Sequence, residues 1–297
     1  MPHSKFFTRR NSRRLAACLL GCAGVFVEKA ATAALVEEIV QVPVTVKTFN
    51  NREVSQDITV TLFRDDERAK SPFLVLLHGR PANPAGFAHM GRQRYADNSA
   101  YFVALGFTVL VPTRVGYSVS GGPDVESADG GCRDADQTRA IRAAADQGVA
   151  VVDYARRLPY VDAARGMVVG QSVGGISAIG IAARNPGGVI GIANFAGGKG
   201  GDPDNHPEQP CNPANAEKLY RGFGAQARVP TLWLYSENDR FWGRQIPHEW
   251  FDAFTAGGGK ATFVQLPPYA QNGHGIFSGN PAAWKPAFET FVRGLGF

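Results

Sequence analysis

Gly170-Gln171-Ser172-Val173-Gly174 follows the apolar run Met167-Val168-Val169 directly and leads into Gly175-Ile176-Ser177-Ala178-Ile179-Gly180-Ile181-Ala182-Ala183. A chain passes from a buried strand to a helix over so few residues only if the turn tolerates close backbone approach, which the flanking glycines allow. The serine is then held up on a sharp turn. The amide of Val173 and the helix N-terminus point at the space above its hydroxyl. In this strand–turn–helix setting the G-x-S-x-G pattern marks Ser172 as a candidate nucleophile and Val173 as a candidate oxyanion donor. Without the setting, the same five residues would be an ordinary turn.

The rest of the chain repeats that alternation of strand and helix. Continuous apolar runs at Phe73–Leu77, Phe107–Val111, Met167–Val169, Val189–Phe195, Thr231–Tyr235 and Thr262–Leu266 read as strands buried on both faces, as in a parallel sheet covered by helices. Helical patterns lie between them at about 92–105, 136–157, 175–185, 213–226, 248–256 and 284–295. Before them, alternating β-branched segments at Ile39–Lys47 and Ile58–Arg64 flank Asn50-Asn51-Arg52 and predict an antiparallel hairpin. The expected fold is therefore α/β, a doubly wound, mostly parallel sheet with an antiparallel N-terminal hairpin. With no repeat and no break in composition, residues 34–297 read as one catalytic domain.

The 297-residue chain carries a formal charge of +5, from 31 Lys and Arg against 26 Asp and Glu. Six of those basic residues and one of the acidic ones fall within residues 1–33, so the remainder is electrically balanced. A nucleic-acid partner loses its main support. The basic segment precedes the apolar stretch Leu15–Val27 and then Ala31-Thr32-Ala33, the order of an export signal removed at a small-residue site. The stretch is short for a membrane span, so a secreted or periplasmic protein without stable membrane insertion is expected. Leu19-Leu20-Gly21-Cys22 leaves lipid anchoring through Cys22 as an alternative, and Arg9-Arg10 leaves open a twin-arginine route. Once Cys18 and Cys22 leave with the leader, Cys132 and Cys211 remain. Each lies in a Gly-, Pro- and Asp-rich segment (114–135 and 196–213), and an oxidising compartment favours a disulfide between them.

A serine hydroxyl attacks only if a base takes its proton, and the base needs a third group to fix its tautomer. Open α/β sheets place such groups at strand C-terminal ends. Asp239 closes Ser236-Glu237-Asn238-Asp239 after one strand, and His274 sits in Gln271-Asn272-Gly273-His274-Gly275 after the next. Glu237 and Asp202 stay open as other carboxylates. His89, His206 and His248 are less well placed along the chain for the base. Leu74-Val75-Leu76-Leu77-His78-Gly79-Arg80-Pro81 is a strand that ends in His-Gly. It supplies a candidate second oxyanion amide at Arg80, with His78 as a structural hydrogen-bonding residue. Arg114, Tyr117 and the loop to Gly122 either line a substrate pocket or are structural. Trp242, with Phe241 and Phe277, either forms an apolar wall or packs its loop.

In order and spacing these motifs, with Pro112-Thr113-Arg114-Val115-Gly116-Tyr117, resemble the α/β-hydrolase superfamily over residues 40–297. Within it they look most like the dienelactone-hydrolase-like and prolyl-oligopeptidase-like branches. The resemblance implies the chain order serine, acid, histidine. Ser172 stands where dienelactone hydrolases carry cysteine, and neither a propeller nor a cap insertion is evident. The expectation is an exported serine hydrolase that cleaves small-molecule or polymer carboxylic esters through an acyl-enzyme. An exported peptidase of the same fold and a non-catalytic ligand-binding protein are the alternatives. No zinc-spaced Cys/His cluster, phosphate-cradling loop or dinucleotide fingerprint is present, so no metal or organic cofactor is expected.

Overall fold

Alternating exposed and buried residues at the start of the described chain form a long antiparallel hairpin, β1 (Leu35–Lys47) and β2 (Glu53–Asp65), in register from Leu35 against Asp65 to Lys47 against Glu53. The structure is a computed structural model and describes residues 35–48, 50–127 and 130–297. The expected leader and Cys22 fall outside these residues. The chain continues through β3 (Ser71–Leu77), α1 (Ala96–Ala104), β4 (Thr108–Pro112), α2 (Thr138–Ala155), β5 (Val161–Gln171) and α3 (Val173–Ala182). It ends through β6 (Val189–Phe195), α4 (Pro213–Gln226), β7 (Thr231–Ser236), α5 (Ile246–Ala256), β8 (Ala261–Leu266), α6 (Ile276–Gly279) and α7 (Pro281–Gly294).

The strands form one sheet in the order β1-β2-β4-β3-β5-β6-β7-β8. The hairpin docks with β2 antiparallel to β4, and every pairing from β4 to β8 is parallel. The pleat sorts the apolar runs into two cores. On β3, Phe73, Val75 and Leu77 join residues of α2 and α3 on one face, while Leu74 and Leu76 join residues of α1 and α7 on the other. On β7, Trp233 and Tyr235 go to the first core, and Leu232 and Leu234 to the second. A strand that serves two cores cannot alternate polar residues, which explains the uninterrupted apolar runs.

Element boundaries depart from the sequence reading where side chains compete for the backbone. The first helix begins at Ala96 rather than near Arg92. The Gln93 carbonyl accepts from the Thr61 hydroxyl and its amide donates to Thr113 Oγ1, while Tyr95 adopts a left-handed φ of 45°. The short α6 is absent from the periodicity. Cys132 and Cys211 form a disulfide that ties the loop after β4 to the loop after β6. Among the described residues no helix is long and apolar enough to cross a membrane.

Candidate active site

Ser172 sits between β5 and α3 with φ 57° and ψ −122°, a backbone region that non-glycine residues rarely enter and that costs on the order of 1–3 kcal/mol. The surroundings hold it there. Its amide donates to the Phe195 carbonyl at 2.9 Å, and its carbonyl accepts from the amides of Gly175 (2.8 Å), Gly198 (3.1 Å) and Ile176 (3.2 Å). A Cβ at Gly174 would lie 2.7 Å from the His78 carbonyl oxygen, so a glycine is needed where the turn meets the end of β3. Val173 opens α3, every residue of which is buried, and its amide belongs to the positive end of the helix.

The loop after β3 passes directly beside this turn. A Cβ at Gly79 would begin 3.1 Å from Ser172 Cβ. His78 is fully buried. Its Nε2 accepts from the Arg114 amide at 3.1 Å, so its proton is on Nδ1, which meets the Gly79 carbonyl at 2.6 Å. Burial, reinforced by the adjacent Arg114 guanidinium, pushes its pKa well below the usual value and keeps the ring neutral. His78 therefore fixes the loop that carries Arg80.

The carboxylate and the imidazole come from the ends of β7 and β8. Asp239 is completely buried. Its Oδ2 lies 2.8 Å from His274 Nδ1, and its Oδ1 accepts from the Phe241 amide at 2.8 Å. Asn272 Oδ1 accepts from the amides of both His274 (3.1 Å) and Arg240 (3.0 Å), and the Asn238 side chain accepts from the Tyr269 amide and donates to the Ala270 carbonyl. Two asparagines thus stitch the acid loop to the histidine loop. Gln171, the residue before Ser172, donates to the His274 carbonyl at 3.3 Å. Phe241 stacks on the His274 ring at 4.0 Å, and Trp242 meets it edge-on at 5.6 Å. The other carboxylates are engaged elsewhere: Glu237 faces Arg244 at the surface, and Asp202 caps an exposed turn through Asn205. His248 pairs with Gln265, and His89 and His206 are exposed.

A cleft of roughly 100 Å³ opens over Ser172. It is lined by Arg80, Val173, Lys199, Phe241, Trp242 and the glycines on either side of Lys199. Arg114 and Tyr117 take the structural alternative and not the pocket-lining one. Both are buried beneath the loop and neither reaches the cleft. Arg114 grips Glu126 through Nε (2.5 Å) and Nη2 (3.1 Å) and donates to the His78 carbonyl (2.6 Å), while Tyr117 donates to Glu126 at 2.7 Å. A buried guanidinium needs a carboxylate of this kind, and Glu126 was not apparent from the motifs. Phe277 packs against Phe195 and Trp284 in the second core, away from the cleft. Trp242 lines the cleft, anchored by its indole N–H on the Ala196 carbonyl at 2.7 Å.

Two cations line the cleft in unlike states. Arg80 is clasped by Asp124 at 2.9 and 2.6 Å, donates to the Tyr117 hydroxyl at 3.0 Å, and lies over the Phe87 ring. Burial alone would raise the Asp124 carboxyl, but Arg80 and the Ser127 hydroxyl hold it down to about 2. Lys199 is 9% exposed and makes no hydrogen bond or ion pair among the described residues. Its only sequence signal is a lysine amid four glycines just after a strand, Gly197-Gly198-Lys199-Gly200-Gly201.

No protein-family model matches the chain, and no curated protein does. Solved structures do. A dienelactone hydrolase-like promiscuous phosphotriesterase from metagenomic libraries aligns with a TM-score of 0.54 at 15% identity, over 88% of this chain and 98% of its own. An esterase of Pyrococcus furiosus aligns with a TM-score of 0.55 at 12% identity, over 86% and 90%. Dipeptidyl peptidase 4 of Porphyromonas gingivalis aligns with a TM-score of 0.56 at 15% identity, over 86% of this chain but only 35% of that longer one. The chain has the α/β-hydrolase fold, an eight-stranded, mostly parallel sheet with helices on both faces.

Proposed function

We propose that this protein is an exported serine hydrolase that cleaves carboxylic esters. The observation that carries the reading is a buried Asp239 that meets His274 at 2.8 Å, on a loop bonded through Gln171 to the strained Ser172 turn, which itself opens into an aromatic-walled cleft. His274 Nε2, the ring nitrogen that does not face Asp239, takes the Ser172 proton as Oγ attacks the ester carbonyl. Asp239 holds the ring in that tautomer and stabilises its charged form. The amides of Arg80 and Val173 bind the tetrahedral oxyanion, each worth roughly 3 kcal/mol in the transition state. The alcohol leaves with the proton from His274. Water, activated by the same histidine, then cleaves the acyl-enzyme and releases the acid.

The small cleft and its lining favour an ester over a peptide. Its charged lining residues are Arg80 and Lys199, with no carboxylate to receive a peptide N-terminus. The leader-like sequence and the Cys132–Cys211 bond support export. The test is hydrolysis of p-nitrophenyl esters of increasing acyl length by the purified chain beside Ser172→Ala. The substitution is expected to lower kcat/KM at least about 1,000-fold. Equal activity in the two proteins, with no labelling of Ser172 by a fluorophosphonate, would overturn the reading.

A further inference from the structure

The charges around the cleft pair off with one remainder. Arg114 is matched by Glu126, and Arg80 by Asp124. Glu126 also receives Tyr117, and Asp124 also receives Ser127 and the Glu126 amide. Neither carboxylate is free to answer Lys199, a residue 9% exposed that has no hydrogen-bond or ion-pair partner among the described residues and lines the same cleft as Ser172.

The segment that presents Lys199 is fixed at every step. The Gly197 carbonyl accepts from the hydroxyls of Tyr220 (2.9 Å) and Tyr235 (2.7 Å), and the Gly198 amide donates to the Ser172 carbonyl (3.1 Å). The Gly200 carbonyl accepts from the Cys211 amide (2.8 Å), and Cys211 is bonded to Cys132. Lys199 is therefore one residue from a hydrogen bond to the nucleophile's own backbone, on a loop that does not need to be ordered on binding. A buried cation on a rigid support, with no internal partner, is what a preorganised anion receptor requires.

We propose that Lys199 receives a carboxylate carried by the substrate, so that the physiological esters are those with a carboxylate within a few bonds of the scissile carbonyl. This assignment rests on the ester-hydrolase reading. One uncompensated positive charge matches one negative charge, and Lys199 lines the same cleft as Ser172. Burial, with a further push from Arg80, lowers the Lys199 ammonium to about 8, against weaker upward pulls from Glu126 and Asp124. The amine is still charged at neutral pH, and a bound carboxylate would supply the partner it lacks.

The experiment measures kcat/KM for matched esters at pH 7. Monomethyl glutarate against methyl pentanoate places the carboxylate on the acyl side, and the butyrate ester of glycolate against propyl butyrate places it on the alcohol side. In one of these pairs the charged ester is expected to exceed its neutral counterpart, and Lys199→Met is expected to lower that ratio about 10- to 100-fold. Lys199→Arg, which keeps the charge, is expected to retain part of the preference. The ratio is internal to each protein, so a general loss of folded enzyme does not move it. If Ser172-dependent hydrolysis occurs but neither ratio exceeds one, or Lys199→Met leaves both ratios unchanged, the carboxylate assignment is overturned and the esterase reading stands. If no ester is turned over and the fluorophosphonate fails to label Ser172, both fall together.

Discussion

On the β3–β4 side of the cleft, Arg114 is fully buried against Glu126 and Arg80 is clasped by Asp124, whereas on the β6 side Lys199, 9% exposed, clasps nothing among the described residues. The two walls use the same chemistry to opposite ends. A buried cation with its carboxylate, hydrogen bonds and a neighbouring phenol is part of the scaffold, because removing either partner strands a charge away from water. A buried cation without a carboxylate stabilises nothing inside the molecule. Burial near the Ser172 turn does not by itself distinguish support from recognition. The state of the counter-charge does.

Substitutions on each wall should therefore shift stability in opposite directions. The largest effect is expected from Arg114→Met, which leaves Glu126 charged and buried and should cost about 3–5 kcal/mol in urea denaturation. A midpoint indistinguishable from wild type would mean that the paired wall is not structural. Next is Cys132→Ser with Cys211→Ser, which removes the covalent tie between the walls across a separation of 79 residues and should cost about 2–4 kcal/mol. The smallest effect has the opposite sign. Lys199→Met should raise the melting temperature at pH 7 by a few degrees.

That gain should also depend on pH. The folded-state ammonium of Lys199 loses its proton near 8, against 10.5 for an ordinary lysine. Below pH 8 both states carry the proton, and the folded chain bears the full cost of the buried charge. Between about 8 and 10.5 the folded amine sheds its proton while the unfolded one keeps it, so wild-type stability rises with pH. The advantage of Lys199→Met should shrink across that window in melting curves. An advantage that stays constant from pH 7 to 10.5 would place the lysine in solvent.

Much of this was legible beforehand, for identifiable reasons. A strand that feeds two cores must be apolar throughout, so β3, β6 and β7 stood out within a residue or two of their ends. Ser172, Asp239 and His274 were each marked by a turn after such a strand, and the structure brings Asp239 to His274. Less could be read from residues whose role depends on long-range pairing. Arg114 looked as suited to a pocket as to a core, because nothing local announces Glu126 twelve residues on. Asn238 and Asn272 act across two loops more than 30 residues apart. Lys199 carries no periodicity at all, and its glycine surroundings suggest a flexible loop. Yet Tyr220, Tyr235 and Cys211 hold it in place, and none of them is near it in sequence.

The backbone of Ser172, at φ 57° and ψ −122°, bears on how this protein would respond to selection. Glycine adopts a positive φ without the strain that serine bears there. A library screened for heat resistance alone would therefore enrich Ser172→Gly among its survivors, and on the proposed mechanism those survivors would be folded and without activity. Under relaxed selection for activity, this turn would drift early.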